Sequence, residues 1–159
     1  MGWLNRLFHG HSGEGDAPRP RIADEARYPE VLDPTAIDAT LVVQMFRDAY
    51  TDASVQGDEV KIQDVYRAYI NFDENHRYLR FRVLIKCQDG VKPEAQSKYA
   101  NSVNGEYIVI RATPIDNLVA FDYYLVIEGG ATKRNIVLSF KRFMACTQAA
   151  IGDDKLGVF

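Results

Sequence analysis

Apolar and polar positions follow two different periods along this chain. Leu41, Val42, Met45, Phe46 and Ala49 recur with helical spacing, which predicts an amphipathic helix with a broad apolar stripe. Asp33-Pro34 and Asp38 ahead of it supply helix-start chemistry, and the pattern ends between Tyr50 and Asp52. The period then falls to two. Ser54–Gln56 and Glu59–Gln63 flank a Gly57-Asp58 turn. Tyr66, Ala68, Ile70 and Phe72 then alternate with Arg67, Tyr69, Asn71 and Asp73. Past the polar run Asp73-Glu74-Asn75-His76, Leu79, Phe81, Val83 and Ile85 alternate with Tyr78, Arg80, Arg82 and Leu84. Two alternating strands joined by a short polar turn predict an antiparallel hairpin with one face buried. His76 falls in that turn and is expected to be solvated.

Lys92-Pro93-Glu94 opens a second helix, expected to run to about Val103 and to close at Asn104-Gly105. Strands are predicted at Tyr107–Thr113 and Leu118–Glu128, joined by Pro114-Ile115-Asp116-Asn117. Gly129-Gly130 stops the second strand. Thr132 then caps a closing helix in which Ile136, Val137, Phe140, Phe143, Met144 and Thr147 keep helical spacing. Short turns between successive strands require antiparallel pairing. The fold class is therefore α+β, an antiparallel sheet with three helices packed mainly on one face.

The ends differ from this core. Residues 1–8 form a short amphipathic segment, with Trp3, Leu4, Leu7 and Phe8 on one side. It is too short to be stable alone in water. Trp3, Leu7 and Phe8 are expected to dock on a partner, on the domain itself or weakly on a membrane surface. Residues 9–31 are rich in Gly, Pro, Ser and charge and read as a flexible linker. Residues 32–152 make the domain, and 153–159 are expected to fray.

Composition narrows the function. With 159 residues, 47% of them hydrophobic, the chain can build one ordinary core. A formal net charge of −3 weighs against nucleic acid, whose binding domains commonly have a pI above ~9. The two cysteines, Cys87 and Cys146, lie in apolar segments and make no disulfide framework. That fits a reducing compartment and a cytoplasmic location. The amino-terminal residues do not read as a signal peptide, and no apolar run approaches the ~20 residues that span a bilayer.

Candidate chemistry is sparse. The sequence contains no phosphate-cradling glycine loop, no strand-linked GxGxxG and no GxSxG elbow. Two histidines in the linker, His9 and His11, lack a third ligand, so neither metal nor cofactor is expected. The acidic pairs Asp58-Glu59, Asp73-Glu74 and Asp153-Asp154 fall in expected turns or the tail, where carboxylates make poor general acids. The expectation is a protein that is not an enzyme. One feature does stand out. Turning each strand's apolar residues toward the helices leaves Arg67, Tyr69, Tyr78, Arg80, Arg82, Tyr107, Arg111 and Tyr124 on the opposite face. Arg and Tyr are enriched in protein interfaces. They also stack on bases, so a single-stranded nucleic-acid surface is the alternative. A third reading has these long side chains merely shielding the sheet, with Asp73 and Asp122 balancing the arginines.

Asn101-Ser102-Val103-Asn104 before a strand, then Phe121-Asp122-Tyr123-Tyr124-Leu125, then Glu128-Gly129-Gly130-Ala131-Thr132 leading into the closing helix, resemble the YbjN family. The resemblance spans about residues 36–150. It implies a fold similar to that of type III secretion chaperones and a bacterial sensory transduction regulator. On that footing the chain is expected to be a non-enzymatic cytoplasmic protein-interaction module. It would act as a chaperone-like or regulatory adaptor with a protein partner, and as a homodimer. The resemblance supplies no catalytic residues.

Overall fold

The computed structural model describes residues 30–159. The expected docking segment with Trp3, Leu7 and Phe8, the histidines His9 and His11, and nearly all of the linker lie outside the described residues.

Both acids that precede the first helix are used as caps. Asp33 accepts a hydrogen bond from the Thr35 amide and starts a single 3-10 turn over Pro34–Ala36. Asp38 accepts from the Leu41 amide and starts α1, Ala39–Asp48. The chain then forms β2 (Asp52–Gln56), β3 (Glu59–Gln63), β4 (Arg67–Phe72) and β5 (Tyr78–Lys86). Next come α2 (Pro93–Glu106), β6 (Arg111–Ile115), β7 (Leu118–Val126) and α3 (Lys133–Gly152). These six strands form one antiparallel sheet in the order β2-β3-β4-β5-β7-β6. The α+β class and the placing of the helices on one face are as the patterning predicts.

A small second pairing was not foreseen. Val31–Leu32 (β1) lies antiparallel to Ala131–Thr132 (β8), so the expected linker already joins the fold at Val31. Gly130 makes this approach possible. Its φ is +102°, and a Cβ there would stand 2.5 Å from Val31 Cγ1, closer than any side chain tolerates.

The core fills the space between the helices and the inner face of the sheet. Phe81 of β5 meets Phe140 and Phe143 of α3, with ring centroids 5.5 and 6.1 Å apart. Phe140 in turn meets Phe46 of α1 at 4.9 Å. A second aromatic group joins Tyr99 of α2, Phe121 of β7 and Phe159. The tail that was expected to fray is therefore docked: Val158 is fully buried. The Asp154 carboxylate accepts from the amides of Leu156, Val158 and Phe159, and Gln88 bonds the backbone of the last two residues. The apolar end of the tail, not its polar start, decides the outcome.

The edge strand β6 is shorter at its start than its patterning implies, because α2 continues through Glu106 and ends on Tyr107. The Asn104 side chain accepts from the Ala112 amide at 2.7 Å and donates to the Ala112 carbonyl at 3.0 Å. Two residues on, Pro114 has no N–H to offer, and prolines are found on edge strands for that reason. This edge of the sheet is thus closed to further strands. Replacing Asn104→Ala leaves both Ala112 groups without their partner and should cost about 1–2 kcal/mol, read as a lower urea midpoint with unchanged slope.

Candidate functional site

Among the described residues no helix covers the outer face of the sheet, and strand parity decides what stands on it. Inward-pointing residues of the central strands are buried: Ala68 and Ile70, Leu79, Phe81 and Val83, and Val119, Phe121 and Leu125. Their neighbours point outward. One continuous cross-strand row runs Lys61, Tyr69, Arg82, Asp122, Arg111. The adjoining row runs Glu59, Asn71, Arg80, Tyr124, followed by Tyr78 opposite Val126. Seven of the eight residues expected on this face are there: Arg67, Tyr69, Tyr78, Arg80, Arg82, Arg111 and Tyr124.

Tyr107 is not. As the residue that ends α2, it packs against the core on the helix side, and its hydroxyl donates to Asp153 Oδ2 at 2.8 Å. That hydrogen bond, reinforced by burial, pushes its pKa up to about 12. Two further expectations need correction. Asp73 does not balance the sheet arginines but pairs with Arg77 at 3.0 Å inside the β4–β5 turn. His76 is half-buried in that turn rather than solvated, with φ +53° and its amide bonded to the Asp73 carbonyl. The turn folds back on its own side chains, which the run of polar residues does not reveal.

Asp122 organises the centre of the face. It is 4% exposed, and its two oxygens accept four hydrogen bonds. Arg80 donates from Nε at 2.9 Å and Nη2 at 3.1 Å, and Arg82 from Nε at 2.8 Å and Nη2 at 3.0 Å. Burial pushes the Asp122 carboxyl above its ordinary pKa, and the positive charges of Arg80 and Arg111 draw it back. The arginines are about a quarter exposed, at 26% and 24% of their side chains. Around them, the Tyr78 and Tyr124 rings meet edge to face at 5.3 Å, and the Arg80 guanidinium lies 5.7 Å from the Tyr124 ring. A depression of about 390 Å³ opens beside Arg80, Tyr78 and Tyr124, walled by the β4–β5 turn.

The face also carries aliphatic surface that the Arg and Tyr pattern did not bring out. Leu84, Ile115 and Val126 are 39%, 37% and 66% exposed. The signal was present in β7, whose sequence Leu118–Val126 is apolar on both parities except at Asp122 and the tyrosines. A strand that is apolar on both sides is normally covered on both.

Other reactive groups stand apart from this face. Burial raises the Cys87 thiol, which accepts a hydrogen bond from Gln96. Among the described residues no three His, Cys, Asp or Glu side chains come together as a metal site. Within the same residues no helix is long and apolar enough to cross a membrane. What the outer face can do chemically is hold: donate hydrogen bonds, stack and exclude water.

These features define the class, an α+β domain whose six-stranded antiparallel sheet is covered by helices on one face and, among the described residues, bare on the other. Within that class the fold is similar to that of YbjN, a candidate transcription regulator from E. coli, with a TM-score of 0.59 at 12% identity, covering 70% of this chain and 87% of that one. It is also similar to a chain of the HopA1–SchA chaperone–effector complex, with a TM-score of 0.51 at 12% identity, covering 71% and 89%. No family model and no curated protein matches the sequence.

Asp122→Ala should leave two largely desolvated guanidiniums facing each other. Breaking a fully buried pair costs about 3–5 kcal/mol, and the arginines' partial exposure lowers this to about 2–3 kcal/mol. At a slope of about 1–3 kcal/mol/M, the urea midpoint should fall by roughly 0.7–3 M.

Proposed function

We propose that this chain is a non-enzymatic, cytoplasmic protein-interaction module that holds a protein partner against the outer face of its sheet. The bare outer face carries the reading. A solvated sheet surface would be expected to show Lys, Glu and Thr. Here Arg80, Arg82, Tyr78 and Tyr124 stand beside exposed Leu84 and Val126, the mixture of flat polar and apolar area that interfaces favour. Likeness to a regulator and to a chaperone–effector complex supports an adaptor or chaperone-like role on the level of fold. The expected homodimer and the docking of Trp3, Leu7 and Phe8 belong to the same reading as further contacts of the module. A single-stranded nucleic-acid surface fits less well, because the face buries a carboxylate at its centre and carries aliphatic side chains that no phosphate backbone requires.

Site-specific photo-crosslinking in the native cells tests this. A photoreactive residue at Val126, on the outer face, should yield a protein adduct, whereas one at exposed Ala145 of α3 should not. Crosslinks to protein from Ala145 and none from Val126 would move the docking site to the helices and end the proposal.

A further inference from the structure

The donors left over around Asp122 indicate what chemistry the partner brings. A guanidinium has five N–H groups. Arg80 and Arg82 each use two of them on Asp122, and the rest find no acceptor among the described residues. One carboxylate also neutralises only one of the two cations. The remaining positive charge is added to by Arg111, which flanks Asp122 on β6, is exposed, and makes no hydrogen bond or ion pair among the described residues. Lys61, two strands beyond Arg82 in the same row, is likewise unpaired. Lys61, Arg82 and Arg111 therefore stand at intervals of about 9.6 Å, two strand spacings each.

Charge is thus segregated. The whole chain has a formal net charge of −3, yet the face that no described helix covers is positive. The acids on its strands are engaged or remote: Asp122 under the arginines, Glu59 accepting from Asn71 at 2.8 Å, and Asp52 on the far edge strand, while Glu74 of the β4–β5 turn borders the depression beside Arg80. The bidentate grip of Asp122 also fixes the Arg80 and Arg82 side chains before any partner arrives. Less conformational entropy is then lost when a second carboxylate binds their free N–H groups.

Resting on the protein-binding reading above, we infer that the outer face recognises an acidic segment of a partner protein. Its Asp or Glu carboxylates sit over Arg80, Arg82 and Arg111, and its apolar side chains cover Leu84 and Val126. A second copy of this chain does not fit there, since pairing the face with itself sets arginine against arginine. The exposed aliphatic residues call for apolar contacts that a nucleic acid does not supply.

The probe is a short fluorescein-labelled peptide repeating Asp-Leu-Glu-Tyr, followed by fluorescence anisotropy with the full chain and by amide chemical-shift mapping. The acidic peptide should shift amides of β5 and β7. Its counterpart with Asn and Gln in place of the acids should bind at least about tenfold more weakly, the loss expected when charge-assisted hydrogen bonds are removed. Arg111→Gln, which leaves the Asp122 cluster intact, should weaken the acidic peptide by a similar factor. Equal binding of the neutral peptide overturns the inference, as do shifts centred on exposed Arg134, Lys141 and Arg142 of α3. Tighter binding by a thymine oligonucleotide at the same face overturns it as well. A protein adduct from Val126 whose contacting segment holds no acid removes this inference and leaves the protein-binding reading standing. Absence of any adduct removes both.

Discussion

Nine consecutive residue pairs join β5 to β7, from Tyr78 opposite Val126 to Lys86 opposite Leu118. A slip of one residue in either strand would exchange the two faces of that strand. Slipped β5 would turn Phe81 to water and drive Arg80 and Arg82 into the core; slipped β7 would do the same with Phe121 and Asp122. Both halves of the structure hang on this single register. On the inner side it stacks the aromatic core. On the outer side it brings one buried carboxylate within reach of two guanidiniums that are two residues apart on the same strand.

The three described helices lie against the inner face, so among the described residues the outer face manages its own desolvation. It does so with side chains that lie across the strands. Asn71 bonds Glu59, Tyr78 packs on Tyr124, and the arginines fold onto Asp122. The result differs from a simple polar coat. Ala120 is fully buried although its parity is outward, and Leu84 and Val126 remain exposed. Meanwhile the β6 edge is sealed by Asn104 and Pro114. Growth of the sheet is prevented at that edge, while the described residues leave the broad face uncovered.

Much of this was legible in the residue pattern. The alternation through β4 and β5 identifies the outward Arg67, Tyr69, Tyr78, Arg80 and Arg82, because period-two patterning assigns faces wherever one side is buried. Asp33, Asp38 and Thr132 were recognisable as caps from their short side chains ahead of apolar runs. The failures share a physical cause: they depend on contacts distant in sequence. Tyr107 looked like the first residue of a strand, but α2 runs past Gly105 because Asn104 is anchored to β6. The tail looked polar and loose, but Phe159 finds a slot between Tyr99 and Phe121 that no local signal discloses. β1 and β8 are too short for any periodicity. The pattern marks Asp122 as an acid that balances arginines, yet its nearly complete burial follows from Arg80 and Arg82 of the neighbouring strand folding over it.

On the proposed function, the Arg80–Arg82–Asp122 cluster serves docking rather than stability. Apolar replacement of a buried ion triad is often neutral or stabilising by about 1–4 kcal/mol. The most direct test is therefore the triple variant Arg80→Met, Arg82→Leu and Asp122→Val, with urea unfolding and partner capture measured side by side. Stability at or above that of the parent together with lost capture is the predicted result. Capture that survives the triple replacement in a folded protein would contradict the account.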